Sequence, residues 1–168
     1  MGKIKKYNLV KLILGFIYGD EAVFIQARNK LKVKFGRIDF SSEALDFNYT
    51  NYYELEMGRS LKRRFISFSK PISASKLYRI KLYANRLESK FLNAGKRQIN
   101  IDPGYLDKAK LVLASTKDYA HRIYLQKGIF AEITLTYRGN SFSANEWSYP
   151  DYRSKEYIDI FNQIRAIP

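Results

Sequence analysis

The polar side chains best suited to chemistry lie between residues 100 and 137. This stretch contains the only histidine of the chain, His121, together with the carboxylates Asp102 and Glu132. A histidine exchanges protons near neutral pH, and a carboxylate can orient it or bind a metal beside it. If the protein is an enzyme, we therefore expect these three residues to be catalytic. The competing interpretation is a structural histidine held by hydrogen bonds.

A strand pattern positions the first of these carboxylates. Asn100 and Asp102 alternate with two isoleucines, so on a β-strand the polar pair shares one face while the isoleucines face the core. Pro103 and Gly104 follow, and this pair predicts a turn that leaves Asp102 at the end of the strand. Asp102 can then initiate the turn and, with Asn100, also face a ligand.

The run from Thr116 to Arg122 contains several further candidates for ligand binding. In a helical turn, Lys117 would lie beside His121, and Asp118 would pair with Arg122 at the same spacing of four residues. In an extended segment, Lys117 and His121 would share one face. Both conformations bring His121 close to Lys117. The residues expected to contact the ligand here are Thr116, Lys117, Asp118 and Arg122.

The second carboxylate lies within another strand pattern. Residues 129–137 alternate so that Glu132 shares a face with Phe130 and Thr134. We expect Glu132 to be solvated or held by a cation, either Lys117 or Arg122. If this face lines a pocket, four side chains would offer ligands suited to Mg²⁺ or Mn²⁺, namely Asp102, Asp118, His121 and Glu132. The chain lacks tight ligand spacing, so no residue is assigned to a metal.

The formal net charge of +14 is concentrated in one quarter of the chain. Residues 59–97 contain twelve Lys and Arg against one acid, a net +11, whereas the other residues contain eighteen against fifteen, a net +3. Such a segment can bind polyanions by releasing their counterions. The alternative is a solvated, lysine-rich surface. The groups expected to contact phosphates or bases are Lys62, Arg63 and Arg64 before a strand, and Arg79, Tyr83, Arg86 and Lys90 on a helix.

Composition excludes several classes of protein. There is no cysteine, which rules out disulfides, cysteine-bound zinc and thiol chemistry. Three lysines, at positions 3, 5 and 6, precede the apolar residues 9–18 as in a signal peptide, but Lys11 interrupts the run and no cleavage site follows. We expect a buried first strand, and a soluble cytoplasmic protein without a membrane anchor.

Apolar periodicity and turn residues predict the order of the elements. Helices are expected after Asp20, after Ser73 and after Ser154, and strands at residues 9–18, 37–47, 62–68, 98–102, 110–115, 129–138 and 141–147. The order through residue 102 is that of a ferredoxin-like βαββαβ core. We therefore predict one α+β domain over residues 1–168, with this core extended by an antiparallel β-meander and closed by a C-terminal helix.

Several short motifs resemble one known family. NIDPGY, STKDYAHRIYL and WSYPDYRSKEY are similar to segments of the bacterial and archaeal family catalogued as domain of unknown function 4416, as are VKLILGFIYGDE, FGRIDF, YTNYYELEMG and LKRRFISF. The resemblance covers nearly the whole length. It implies no established activity, although some members are labelled GTP-binding.

The residues do not support a GTPase mechanism. A P-loop needs Gly-rich backbone amides followed by Lys and Ser or Thr, and no strand here is followed by such a run. Thr116, Lys117 and Asp118 resemble the guanine-reading motif Asn/Thr-Lys-x-Asp, but the carboxylate arrives one residue early. Nucleotide binding by another geometry stays open.

Three functions are compatible with these observations. The leading one is binding of a phosphorylated ligand, a nucleotide or RNA, with phosphates held near Lys62 to Arg64 and Lys117 to Arg122 and with tyrosines stacked on bases. The aromatic segments 49–53 and 147–152 could cover the pocket or pack at the sheet edge, and packing is expected for Trp147. The second is a phosphate-ester hydrolase or transferase using His121, with Mg or Mn if it needs a metal. The third is a protein-binding scaffold.

Overall fold

A computed structural model describes residues 2–3 and 9–168, so Lys5 and Lys6 of the basic N-terminus lie outside the described residues. Within the described part, the chain forms one nine-stranded antiparallel sheet and four α-helices, which confirms the α+β class. None of the described helices has the length and apolar character needed to span a membrane.

The elements have the following bounds. The strands are β1 Lys11–Tyr18, β2 Ile38–Ser41, β3 Leu45–Asp46, β4 Lys62–Phe68, β5 Ile99–Leu106, β6 Lys110–Ser115, β7 Ile123–Gln126, β8 Ile129–Arg138 and β9 Ser141–Ala144. The helices are α1 Glu21–Phe35, α2 Glu54–Met57, α3 Leu77–Glu88 and α4 Lys155–Ala166. Short 3₁₀ turns occur at Ala74–Lys76, Ser89–Phe91 and Asp151–Arg153.

The helices α1 and α4 begin at the residues that the sequence predicts, and α1 also ends at its predicted residue. The α-helical part of α3 is shorter than predicted, because 3₁₀ turns occupy residues 74–76 and 89–91. The Asp20 carboxylate accepts a hydrogen bond of 2.8 Å from the amide of Ala22 and caps α1, and Gly36 ends that helix with φ of 98°. The hydroxyl of Ser154 caps α4 by accepting from the amide of Tyr157. The predicted hairpin between β8 and β9 also forms, with positive φ at Gly139 and Asn140.

The strand order is β2-β4-β1-β5-β6-β8-β7, with β3 paired to β4 and β9 paired to β8. Alternating residues of β1 divide the core between the two sheet faces. On one face, Leu12, Leu14 and Phe16 pack against α1 and α3. On the other face, Ile13 and Phe65 pack against α4.

The predicted turn after Asp102 is wrong, because β5 continues through Pro103 and Gly104 to Leu106. The amide and carbonyl of Ile101 point away from β1 toward α3 side chains, and alternation directs the nitrogen of Pro103 to the same side. Pairing with β6 begins only at Gly104, so a missing N–H at Pro103 costs no ladder hydrogen bond. Gly104 then permits close approach, since a Cβ there would meet the Val112 carbonyl oxygen at 2.5 Å.

The sheet opens between β5 and β6. Their register covers three pairs, from Gly104 with Leu113 to Leu106 with Leu111, and the first half of β5 diverges from β6. Two charged side chains of α3 satisfy the backbone at this gap. Glu88 Oε1 accepts from the Ile101 amide at 2.7 Å, and Lys81 Nζ donates to the Ile101 carbonyl at 3.0 Å. Both side chains are buried, so two charged groups of α3, and not another strand, occupy the gap.

Candidate functional site

A cleft of 690 Å³ lies where β5 and β6 diverge, on the sheet face that carries α4. Strand side chains form its floor, and Lys81 and Glu88 of α3 reach it through the gap. Two loop segments form its walls, residues 47–53 and residues 149–152. Seven of the candidates from the sequence line it together, namely Arg63, Asn100, Asp102, Thr116, Lys117, Arg122 and Glu132.

Arg63 lies at the centre of the first polar cluster and is 2% exposed. Its Nη1 is 3.2 Å from Asp102 Oδ2, and its Nη2 donates to the Tyr152 hydroxyl at 2.5 Å. The guanidinium also lies over the Phe65 ring, 4.7 Å from the centroid. Burial lowers the pKa of Arg63, but Tyr152, Asp151 and Asp102 outweigh it and raise the pKa above its ordinary value. Arg63 is therefore a fixed buried cation.

Asp102 is held by two hydrogen-bond donors and a second cation. Besides Arg63, Asn100 Nδ2 donates to Oδ2 at 2.8 Å, and Lys81 Nζ lies 3.6 Å from Oδ1. Burial favours the neutral form of Asp102, yet Lys81 and Arg63 together lower its pKa below the ordinary value. An ionised carboxylate with these partners orients cations in the cleft, whereas the sequence hypothesis made Asp102 a partner of His121 or a metal ligand.

A second ion pair connects the cleft to the loop above it. Arg97 Nη1 is 3.5 Å from Glu88 Oε2, and Arg97 also binds Glu56 of α2 at 2.6 and 2.7 Å. Burial raises the pKa of Glu88, and the nearby cations only partly oppose it. We call residues 48–58 the lid segment. Tyr53 and Met57 of this segment pack on an apolar cluster that includes the buried Phe47.

The other polar cluster is built around Arg122, which follows the loop after β6. Its Nε donates to Glu132 Oε2 at 2.7 Å, and its Nη2 donates to the Tyr149 hydroxyl at 2.6 Å. Its Nη1 donates to the Ser115 hydroxyl at 2.8 Å and to the Lys117 carbonyl at 2.9 Å. Arg122 is therefore the cationic partner that the pattern around Glu132 required, and it fixes the backbone at Lys117.

His121 lies behind this pair and is not among the residues that line the cleft. Its Nε2 is 3.3 Å from Glu132 Oε2, and its ring stacks with those of Tyr119 and Trp147 at centroid distances of 5.9 and 5.8 Å. Glu132 already accepts from Arg122, so the histidine shares an occupied carboxylate. The structure thus joins His121 to Glu132, while Asp102 belongs to the Arg63 cluster.

The run from Thr116 to Arg122 is a loop, which corrects both expected conformations. Arg122 pairs with Glu132 instead of Asp118. The ammonium of Lys117 lies 4.6 Å from the ring centroid of Tyr52 in the lid segment. Because the β6 strand ends at Ser115 and Arg122 binds back to it, the intervening residues must turn sharply. Local spacing alone could not specify this turn.

Lys62, Arg63 and Arg64 do not form one basic group. Strand alternation directs Arg63 into the cleft and its neighbours away from it. Lys62 binds Asp46 at 2.6 Å on the surface, and Arg64 lies 3.3 Å from Glu21.

Tyrosines form much of the cleft wall, from the lid segment on one side and the 149–152 segment on the other. Burial raises the pKa of Tyr53 and of Tyr149, so both phenols stay protonated and can donate hydrogen bonds. Trp147 instead donates from Nε1 to the Ile133 carbonyl at 2.8 Å and stacks on His121, in line with the packing expected for it.

The residues considered for Mg²⁺ or Mn²⁺ do not gather at one point. Across residues 2–3 and 9–168, no group of three or more His, Asp or Glu side chains could hold a metal ion. The two polar clusters described above instead pair Asp102 and Glu132 with arginine or lysine.

Several cleft residues had no role in the sequence interpretation, above all Lys81, Glu88, Asp151 and Tyr152. Lys81 and Glu88 offered a usable signal, because they are seven residues apart and each directly follows an apolar position of the α3 stripe. A charge in such a position borders the buried face of the helix. Asp151 and Tyr152 carried no signal beyond an aromatic-rich segment.

No curated protein and no solved structure matches this chain. One protein family does match, with the description "Domain of unknown function (DUF4416)", over residues 8–167. This range is nearly the whole chain and includes every residue of the cleft. The chain therefore belongs to the DUF4416 family.

Proposed function

We propose that the protein binds a small phosphorylated ligand, a nucleotide in the simplest case, in the cleft between β5 and β6. The observation that carries this proposal is Lys117. The other cations of the cleft form ion pairs, Arg63 with Asp102 and Arg122 with Glu132. Among the residues that the structure describes, no carboxylate lies within ion-pairing distance of Lys117, which contacts the Tyr52 ring instead. Its positive charge is available to an anion.

Hydrogen-bond donors surround this lysine. Ser115 and Thr116 line the cleft beside it, and the Ser115 hydroxyl accepts from the Lys117 amide at 3.1 Å. A lysine next to hydroxyl groups suits a phosphate, which accepts several hydrogen bonds and attracts a compact cation. Arg122 holds this turn from behind through its bonds to Ser115 and to the Lys117 carbonyl. The phosphate end of the cleft is thus built before the ligand arrives.

The shape and lining of the cleft support a small ligand over a polymer. Its volume of 690 Å³ falls in the usual range for small-molecule sites, roughly 300 to 1,000 Å³. Tyr49, Tyr52 and Tyr53 of the lid segment and Tyr149 opposite offer flat rings that can stack on a base. RNA, the other ligand expected from the sequence, would need an open groove along several nucleotides.

Thermal unfolding of nuclease-treated protein with nucleoside monophosphates, diphosphates and triphosphates, with the matching nucleosides, and with inorganic phosphate tests the proposal. A ligand at about 100 times its dissociation constant adds roughly 2.7 kcal/mol of stability. We expect a phosphate-dependent shift that Lys117→Ala reduces. Lys127→Ala, an exposed lysine in the β7–β8 turn, is the matched control. Equal shifts in both variants, or no shift with any phosphorylated compound, would reject the proposal.

A second candidate function rests on the contact between His121 and Glu132. A phosphate-ester hydrolase or transferase could use this histidine as an acid or base if the ligand extends past Arg122. Turnover of a generic phosphate ester by His121→Ala and by wild type separates the two functions, because loss of a real acid or base lowers the rate by about 10²–10⁴. Unchanged turnover removes the histidine from catalysis and leaves the binding proposal intact.

We also infer that β1, β2, β4 and β5 form a ferredoxin-like core with α1 and α3, in a cytoplasmic protein. The order β2-β4-β1-β5, its antiparallel pairing and the packing of both helices on one face support the core assignment. The lack of cysteine suits a reducing compartment. Cell fractionation tests the location, and an experimental structure tests the core.

A further inference from the structure

The outer surface of α1 and α3 carries a second concentration of charge, separate from the cleft. Both helices pack on the sheet face opposite the one where the cleft opens. Near the C-terminal end of α1, Lys30, Lys32 and Lys34 are all exposed. The chain beyond the helix adds Arg37, and Lys70 lies beside it because the Ser69 amide donates to the Arg37 carbonyl at 3.0 Å. These five cations surround one end of the helix pair.

The exposed side of α3 continues the same surface. Phe35 at the end of α1 contacts Tyr83 in the middle of α3, with ring centroids 5.7 Å apart, and Lys34 lies 5.5 Å from the Tyr83 ring. The two helices are therefore neighbours at this point. Arg79 and Arg86 project from α3 into solvent, and Lys90 is exposed in the 3₁₀ turn that follows the helix. We call the outer side of α1 and α3 the cationic face.

The cationic face is not neutralised by its own chain. The acid of α1, Glu21, binds Arg64 and Tyr18 at the far end of the helix, and the acid of α3, Glu88, is buried under the cleft. Among the described residues, no carboxylate forms an ion pair with any of the eight cations named above. Eight uncompensated charges on one side of the molecule repel one another. A bound polyanion would reduce this repulsion and would also be attracted to the cations.

We infer that the cationic face binds the phosphate backbone of a duplex nucleic acid without reading its sequence. A duplex presents about one negative charge per 1.7 Å, and binding gains free energy from release of its counterions. The helix α1, with 15 residues, spans about 22 Å, enough to follow several phosphates. This inference is independent of the proposed cleft ligand, since none of the eight cations lines the cleft.

Two observations favour a duplex over other polyanions. Single strands bind by stacking on exposed aromatic rings, but Tyr83 is half-buried against Phe35 and Tyr78 lies beneath Arg79. This corrects the expectation that Tyr83 joins a free stripe for base stacking. Helices that lie stably in an anionic membrane surface bury a bulky apolar face as well as presenting charge. Among the large apolar side chains of α3 none is exposed, and α1 exposes only Val33 beside the lysines and Ile25 farther along.

The test is fluorescence anisotropy with short RNA and DNA duplexes of mixed sequence and with nuclease-treated full-length protein. If about five phosphates are contacted, affinity should fall roughly 500-fold between about 50 and 200 mM salt. The triple variant Lys32→Glu, Arg79→Glu, Arg86→Glu should lower the affinity at least tenfold and flatten the salt dependence. The milder triple change of the same residues to Gln gives the same direction if the first variant is poorly folded.

A control of equal charge separates the surface from the net charge. Each Lys or Arg to Glu change lowers the net charge by two, so three of them lower the formal net charge from +14 to +8. The control Lys108→Glu, Lys127→Glu, Arg138→Glu makes the same change at exposed residues away from α1 and α3. Equal weakening by both triple variants would overturn the inference. So would tighter binding to phosphatidylserine vesicles, or to single strands, than to duplexes. Failure of nucleotide binding in the cleft would leave this result unaffected.

Discussion

The guanidinium of Arg63 lies directly over Gly15, and a Cβ added to that glycine would be 3.0 Å from Nη2 and 3.3 Å from Cζ. Arg63 extends from β4 across the middle strand β1 to reach Asp102 on β5, and the register aligns Gly15 with both Phe65 and Asp102. A side chain at position 15 would block this path. The absence of one is what allows a cation from one strand to pair with a carboxylate two strands away.

Gly15→Ala should therefore destabilise the protein by about 1–3 kcal/mol, as expected for overpacking of a buried site. Urea unfolding measures the loss. In an Arg63→Ala background the same glycine change should cost less, because the crowded atoms are gone and only the Phe65 contact at 3.1 Å remains. Additive costs in the double variant would show that Arg63 and Gly15 act independently, contrary to this explanation.

Protonation of Asp102 should contribute to the loss of stability in acid. Lys81 and Arg63 outweigh burial and hold the pKa of Asp102 below its ordinary value of 3.8. Its stabilising contribution is therefore present above that pH and is lost as pH falls below it. Asp102→Asn should cost several kcal/mol near neutral pH, on the order of 3–5 for a broken buried pair, and much less in acid. Urea unfolding of both proteins from neutral pH to below pH 3.8 checks this prediction. A loss of unfolding free energy that does not change with pH would contradict it.

Glu88 should act with the opposite sign. Burial raises its pKa above the ordinary value of 4.5, so the folded protein holds this proton more tightly than the unfolded chain does. Stability contributed by Glu88 is then greatest in acid and declines as pH rises through the raised pKa. Glu88→Gln, which mimics the neutral form, should become more stable relative to wild type as pH rises from about 4 to 8. A difference in unfolding free energy that does not change with pH would exclude this assignment.

Removing one partner of the pair of Arg122 and Glu132 should destabilise the protein strongly, whereas replacing both partners by apolar residues should destabilise it much less. Both side chains are 1% exposed, so either charge left alone is buried without its partner. We expect Glu132→Leu to lose about 3–5 kcal/mol, and the double change Arg122→Met, Glu132→Leu to recover much of that loss. Chemical unfolding of Glu132→Leu, of Arg122→Met and of the double variant completes the cycle. A double variant as unstable as the sum of the singles would show that other bonds of Arg122 dominate.

The ion pair between Arg97 and Glu56 should restrain the lid segment without stabilising the whole fold. Glu56 is 43% exposed, so Glu56→Gln should change global stability by less than about 1 kcal/mol. Trypsin should nevertheless cut faster after Arg59, next to the released segment. Glu43→Gln, at an exposed acid on the other side of Phe47, is the control. Equal cleavage rates in the two variants would mean that packing alone holds the lid segment.

The parts of the site that depend on strand alternation could be predicted. Ile99 and Ile101 are buried in the core while Asn100 and Asp102 line the cleft, as the period of two requires. The same rule places Arg63 on one face of β4 and Lys62 and Arg64 on the other. Proximity in the sequence therefore does not make these three residues one basic group. The caps of α1 and α4 and the apolar spacing of the three long helices were predictable for the same local reason, whereas the four-residue helix α2 was not predicted.

The remaining features depend mainly on contacts with distant parts of the chain. Pro103 reads as a turn because its missing donor usually ends a strand, and only the divergence of β6 makes that donor unnecessary. Lys81 and Glu88 look misplaced on an apolar stripe until the gap beneath them is known. The position of His121 depends on a loop whose shape is determined by Arg122 and Glu132, ten residues apart.

Helix α3 is shared by the two regions described above. Its inner side contributes Lys81 and Glu88 to the cleft, and its outer side contributes Arg79 and Arg86 to the cationic face. A ligand that moves this helix by drawing Lys81 away from Ile101 would also move the charges on its back. If such a movement couples the two regions, thermodynamic reciprocity requires that occupancy of either one alter affinity at the other by the same factor. One twelve-residue helix is thus the natural element through which the two sites would communicate.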